Sequence, residues 1–349
     1  MRRVPAAFAA AFLTCVMVAA PTMACGGLIG PNGAVNLLRT TTFVGYHEGI
    51  EHYVTAFAFA GGGGAFGSIT PLPGIPTAVD KGGDWTLQRL IRETEPPSPQ
   101  IQFSASDVER AGGGVEILLE TTIDALDITV LKGGGDAVGA WAAEHGFRLP
   151  PDAPEVLDFY AQRSPIFLAA SFDADAAAER GQGVGDGTPV HITIPTDNPW
   201  VPLRILSLGK NAEDRVDADV YLLTDHAPTL LPAATGVGLV LDHTAPASAS
   251  LLDDLRSDRG MEWVPESGWL MKVRVDSRAA DLDYDLAVDA TGRGMASRVD
   301  AGLDMPADAA QVPPAEGSLW LLGLVLVISG GAGVGVLSRR GRMATPPDA

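Results

Sequence analysis

NLLRTTTFVGYHEGIEHYVTAFAFA, residues 36–60, reads as two β-strands about a polar turn. Thr, Val, Phe and Tyr fit a half-buried pleated surface. They fill Asn36 to Gly45 and His52 to Ala60, and His47-Glu48-Gly49-Ile50-Glu51 joins the two runs as a hairpin. Beyond this hairpin the chain keeps the same habit of short β-favouring runs punctuated by glycine and proline. Glycine clusters at 61–64, 112–114 and 133–135, and the Gly/Asp stretch from Gly181 to Gly187, mark loops. Residues 115–119 and 127–131 are further apolar strands.

Two helices stand in the middle. Asp136 is placed to cap a helix running through His145, with Val138 and Trp141 on one face and Gly146-Phe147 as its left-handed stop. Asp152-Ala153-Pro154-Glu155 reads as a capping box, followed by Val156, Leu157, Tyr160 and Ala161 on one face until Ser164-Pro165. Strands resume at Phe167–Phe172, Val190–Ile194, Pro202–Leu208 and Asp219–Leu223. A final hairpin is expected from Met271, Val273 and Val275 alternating with Lys272 and Arg274, then Leu282, Tyr284, Leu286 and Val288 alternating with Asp281, Asp283, Asp285 and Asp289. Cations and carboxylates would pair across its wet face. The fold class is therefore α+β and β-rich: antiparallel sheets with a central two-helix insert, plus one C-terminal transmembrane helix.

The transmembrane expectation comes from the chain's ends. Arg2 and Arg3, an apolar run to Ala20 and the small residues before position 25 make residues 1–24 a secretory signal. Ser318 to Leu337 is twenty residues without a charge, enough at about 1.5 Å per residue to cross a bilayer core. Trp320 stands at its outer end, and Arg339, Arg340 and Arg342 follow its inner end, which puts the 338–349 tail in the cytoplasm. The organisation expected is a signal (1–24), an ectodomain (25–291, as one domain or two halves, 25–165 and 166–291), a linker (292–317), the membrane helix (318–337) and the tail. The competing reading of the last helix is a sorting signal that is cut. Gly331 and Gly335 form a Gly-x-x-x-Gly that would let two such helices pair as a homodimer.

The formal charge is −19, and it becomes about −23 outside the membrane once Arg2, Arg3 and the charged tail residues are set aside. A field of that sign repels nucleic acid. Cys15 leaves with the signal and Cys25 becomes the first mature residue, so no internal disulfide is possible and an apolar core must hold the exported portion. Cys25 is a candidate for lipidation, although Thr22-Met23-Ala24 lacks the usual upstream leucine; a free thiol is the alternative.

The chain resembles a bacterial family, the domain of unknown function 2330. The resemblance rests on Ala24-Cys25-Gly26-Gly27, Pro71-Leu72-Pro73 with Pro76, and the helical block with Trp141, Gly146-Phe147, Pro150 and Tyr160. It continues through Pro189 to Ile194, Pro202-Leu203-Arg204 and Tyr221-Leu222-Leu223-Thr224-Asp225. A second early cysteine found in some members is missing. The resemblance implies an exported, often membrane-tethered bacterial protein with no assigned activity and no assigned catalytic residues.

Chemistry-bearing clusters are few. His47, Glu48, Glu51 and His52 are weak metal candidates: the histidines stand five apart around a glycine, whereas zinc proteases place them four apart on a helix. Asp281, Asp283, Asp285 and Asp289 match four positions of a calcium loop, but Leu286 and Gly292 occupy its glycine and glutamate positions. Gly61 to Ser68 lacks the lysine of a phosphate loop. His145, His191, His226 and His243 show no triad spacing, with His191 read as a lone strand histidine. Trp85, Trp200, Trp263 and Trp269 either line a groove for sugars or peptides or fill cores. These readings favour a membrane-anchored cell-envelope ectodomain that binds a partner or ligand without catalysis and without a cofactor. The alternative is a divergent extracytoplasmic metal-dependent hydrolase built on His47, Glu48, Glu51 and His52.

Overall fold

The computed structural model describes residues 27–30, 33–34, 40–57, 66–94, 117–180 and 188–306 except 237 and 293. The early strands are β1 (Gly27–Gly30), β2 (Gly33–Ala34), β3 (Thr40–His47), β4 (Ile50–Phe57), β5 (Phe66–Leu72) and β6 (Ala78–Lys81), followed by helix α1 (Thr86–Thr94). Then come β7 (Ile117–Ile123), β8 (Leu126–Lys132), α2 (Gly135–Glu144), α3 (Ala153–Ala161), β9 (Ile166–Phe172), α4 (Ala174–Glu179), β10 (Thr188–Pro195) and β11 (Trp200–Val201). The remainder is β12 (Arg215–Thr224), β13 (Thr229–Leu231), β14 (Gly238–Pro246), α5 (Ala249–Ser257), β15 (Trp269–Arg278) and β16 (Leu286–Asp289). The chain is β-rich α+β. The described residues to Asp304 form one compact unit, and the second unit, from Met305, lies almost wholly outside the described residues.

A seven-stranded sheet runs in the order β14-β15-β12-β3-β4-β10-β6, a six-stranded sheet in the order β2-β1-β5-β9-β8-β7, and a three-stranded sheet in the order β11-β16-β13. Pairings among these are antiparallel except β12 with β3, which is parallel. Because side chains alternate across a strand, the large sheet has two unlike faces. Val44, Tyr53, Ile192 and Val220 enter the larger apolar cluster, shared with Leu168, Ile128 and Phe172 of the six-stranded sheet. Phe43, Val54, Tyr221 and Leu270 on the other face enter a second cluster with Leu87 and Leu90 of α1 and Leu251, Leu252 and Leu255 of α5. The two helices are thus held to the sheet by leucines at helical spacing.

The start of α1 is held from far along the chain. Asp258, buried, accepts the backbone N–H of Asp84 (3.0 Å) and of Trp85 (2.9 Å) and the Thr86 hydroxyl (2.8 Å), which places a carboxylate at the positive end of the helix. Gly83 passes so close that a Cβ there would meet Asp258 Oδ2 at 2.3 Å.

The hairpin read over residues 36–60 is present across its described residues, 40–57, with a tighter turn than its composition suggested; 36–39 and 58–60 lie outside the described residues. β3 runs on to His47 and β4 begins at Ile50, leaving Glu48 (φ 51°) and Gly49 (φ 79°) as a two-residue loop. Both lie in the left-handed region, as the preferred turn of twisted hairpins requires. The central helices form, but their caps differ from expectation. Gly134, not Asp136, is the N-cap of α2. Asp152 does occupy the N-cap of α3, but its side chain makes no cap bond; its carboxylate accepts Gly209 N at 2.9 Å, while Glu155 pairs with Arg204 instead of closing the box.

Two strand expectations are corrected. Residues 202–208 are not a strand: after β11, a 3-10 turn spans Arg204–Ser207. Side chains take its amides in place of a ladder: Asp285 Oδ1 accepts Leu203 N (2.7 Å) and Arg204 N (3.0 Å), and the Tyr160 hydroxyl accepts Ile205 N (2.8 Å). The final hairpin does not form either. β15 inserts between β12 and β14, and β16 joins the three-stranded sheet, because a 3-10 turn at Ala279–Asp281 redirects the chain. Lys272 then faces Asp219 (3.6 Å) and Arg274 faces Asp242 (3.0 Å), rather than the carboxylates of 281–289. Asp285 is instead the centre of a buried network, accepting also from the Tyr160 hydroxyl (2.9 Å) and from Arg163 (2.6 Å). Ala296 and Ala301, which composition placed in the linker, are buried in the larger cluster.

The signal at 1–24, Cys25, the glycine runs at 61–64, 112–114 and 181–187, the 318–337 segment with Gly331 and Gly335, and the tail lie outside the described residues. No helix among the described residues is long and apolar enough to cross a membrane.

Candidate functional site

The β3–β4 turn brings the four candidate ligands close in sequence but sends them to different environments. Directly opposed residues of an antiparallel pair share a face. His47 opposes Ile50 and Gly45 opposes His52, so both histidines lie on the helix-covered face, the two-residue turn having restored the parity that an interval of five would break. Glu51 opposes Tyr46 on the other face.

His47 is fixed by β12. The parallel register sets Thr224 beside Tyr46, so the next residue, Asp225, reaches His47 Nδ1 at 2.7 Å. A carboxylate only accepts, so Nδ1 carries the proton and Nε2 is left toward Glu48 Oε1 at 3.9 Å. Beside this pair a cleft of about 330 Å³ is lined by Tyr46, Glu48, Gly49, Asp225, His226, Ala290 and Thr291. Three separate segments meet there: the hairpin tip, the end of β12 and the residues after β16. The Tyr46 hydroxyl donates to Thr196 O at 2.9 Å, and burial, then Asp197, Glu51 and Asp225, push its pKa up. Thr291 is held by Asp289, which accepts its N–H (2.9 Å) and hydroxyl (2.7 Å).

Glu51 lies behind Tyr46, fully buried, and neither carboxylate oxygen has a well-formed hydrogen bond. Burial pushes its pKa well above the ordinary carboxylate value; the Trp200 backbone acts in the opposite direction but more weakly. Burial thus favours the neutral acid over the carboxylate.

His52 turns the other way, and its Nδ1 stands 2.9 Å from Nε2 of His191, which the β4–β10 register brings alongside. One imidazole donates and the other accepts, so the pair is satisfied when both rings are neutral. Burial, then the charges of His191 and His47, lowers His52 to about 3. Burial lowers His191 to about 4 against the pull of Asp80 and Glu262. Trp263 lies flat on His52, centroids 3.9 Å apart and 1° from parallel. Gly45 makes room for it, since a Cβ there would meet the Trp263 ring at 2.3 Å.

His47 thus faces Asp225, Glu48 the solvent, Glu51 the inter-sheet core, and His52 faces His191 beneath Trp263. Among the described residues no group of three or more His, Cys, Asp or Glu is placed to hold a metal ion. The aspartates of the calcium-loop pattern also disperse: Asp281 pairs with Arg278 (2.8 Å), Asp285 with Arg163, and Asp289 with its own turn. Asp225 and His191 are the site residues that the sequence did not assign; Trp263, read as lining a groove or filling a core, packs on His52. Asp225 was visible only as a strand end and His191 only as a lone strand histidine; each finds its partner more than a hundred residues away. Of the tryptophans, Trp200 is buried against Tyr160 and Trp269 Nε1 donates to Thr244 (2.8 Å), while Trp85 is exposed.

A family model described as "Uncharacterized protein conserved in bacteria (DUF2330)" matches residues 19–235. No curated protein matches the sequence. Among solved structures, a mutated baculovirus P35 after caspase cleavage aligns at TM-score 0.37 and 8% identity, covering 72% of this chain and 99% of that one. The caspase-8/P35 complex aligns at TM-score 0.36 and 6% identity, over 72% and 95% of the two chains. Likenesses this distant carry no argument about function.

Proposed function

The chain belongs to the DUF2330 family of uncharacterised proteins conserved in bacteria, and from that premise we propose that it is an exported, membrane-tethered cell-envelope protein whose ectodomain binds a ligand or partner. The observation that carries the reading is the cleft at the β3–β4 tip, where three separate segments converge on a concavity of about 330 Å³. Its walls offer the Tyr46 ring, the Thr291 hydroxyl and the carboxylates of Glu48 and Asp225, a surface suited to a polar ligand rich in donors. The Asp225–His47 contact holds one wall in place. The apolar segments at both ends and the arginines after residue 337 support export and tethering.

Native mass spectrometry of the protein purified from its own membranes tests this. The expected species begins at Cys25, retains the tail and carries a non-covalent adduct that Asp225→Asn loses. A mass that begins at Met1 or ends before residue 338 removes the topology. Absence of any adduct, or one untouched by Asp225→Asn, removes the cleft. One zinc per chain, with hydrolysis of an envelope substrate lost in His52→Ala, would establish the hydrolase instead.

A further inference from the structure

We propose that the surface formed by α1 and α5 is a carbohydrate subsite that receives the apolar face of a pyranose ring on Trp85. This extends the binding-ectodomain reading to a second surface and is read out by different variants. Trp85 is 37% exposed, and its backbone is fixed, since its N–H donates to the buried Asp258 at 2.9 Å. The ring therefore stands on an anchored helix start rather than a fraying one. Gln88, Arg89 and Arg92 follow at helical spacing on the same side and, with Asp254 of α5, line a cleft of about 280 Å³ beside it.

The chemistry of that lining selects the ligand class. Arg89 is clamped by Asp254 (2.7 Å) and Glu93 (2.7 Å), which fixes the plane of its guanidinium and offsets its charge. An anionic ligand would meet those two carboxylates. An apolar peptide side chain would find Trp85 as the one large apolar lining residue among the described residues. A sugar matches both parts: its C–H face stacks on an indole, and its hydroxyls both donate and accept, so that they can bond the Gln88 amide and add to the Asp254 carboxylate.

The test is calorimetric titration of the full-length protein, in a polyoxyethylene detergent free of sugar, with the β-1,4-linked N-acetylglucosamine tetramer, cellotetraose and maltotetraose. Saturable binding of at least one is expected, weakened about tenfold by Trp85→Ala and about threefold by Gln88→Ala. Binding that Asp225→Asn abolishes and Trp85→Ala keeps would place the sugar in the hairpin-tip cleft and overturn this proposal, whereas failure here leaves that cleft's own test standing. Should Trp85→Ala lower the melting temperature, the exposed Gln88→Ala carries the comparison. No binding of any of the three tetrasaccharides to the parent overturns the proposal, as does parent-like binding by Trp85→Ala or, in that fallback, by Gln88→Ala.

Discussion

Glu51→Gln is expected to change how stability depends on pH. Burial in the native state favours the neutral Glu51 carboxyl, whereas the unfolded chain ionises it above its ordinary value of 4.5. A raised folded pKa means that the unfolded state binds fewer protons over this window. Stability is therefore fully present below 4.5 and is lost as pH rises. The loss is about 1.4 kcal/mol per pH unit until the folded group itself ionises. Glutamine keeps nearly the same shape and cannot ionise, so the variant lacks this slope. The measurement is urea unfolding of parent and variant at half-unit steps from pH 4 to 8, compared as the difference in free energy at each pH. The variant should gain on the parent steadily above pH 4.5. A difference that stays constant with pH would show that Glu51 is ionised or solvated in the folded protein, and the argument from burial would fail.

The paired histidines act in the opposite sense. With folded values near 3 for His52 and 4 for His191 against 6.5 unfolded, stability falls as pH drops below 6.5, and His191→Gln should flatten that limb in the same titration. Gly45→Ala should cost roughly 1–3 kcal/mol, because its Cβ must displace Trp263, and tryptophan emission should shift to the red as that ring leaves its seat. Arg163→Met should cost roughly 3–5 kcal/mol in denaturant unfolding, since it strands Asp285 in the core, whereas Arg278→Met, which breaks a solvent-screened surface pair with Asp281, should leave the unfolding midpoint nearly unchanged.

The first hairpin and the two central helices were legible because their signals are local: alternation, a glycine turn, apolar residues on one face. What was not legible is partner choice. β15 and β16 alternate well enough to pair with each other, and nothing within either strand says that β15 will sit between β12 and β14. Asp285 looked like one more carboxylate on a wet strand face, and only the folded chain brings Tyr160, Arg163 and the 203–205 amides around it. The same limit governs the site. His47 and Glu48 could be named from sequence, but Asp225 enters through the parallel register of β12 on β3, which no local pattern encodes.

That register also bears on how the protein reaches its folded state. β3 pairs across a gap of about 170 residues with β12, whose other neighbour is β15, and α1 awaits Asp258. The large sheet is thus dominated by non-local pairings, the arrangement that folds slowly. A chain made amino terminus first leaves the outer edge of β3 unpaired until β12 has emerged, and the outer edge of β12 unpaired until β15 has followed. A fragment cut at residue 235, where the family match ends, would lack β14, β15 and α5, bare the long β12 edge and invite aggregation.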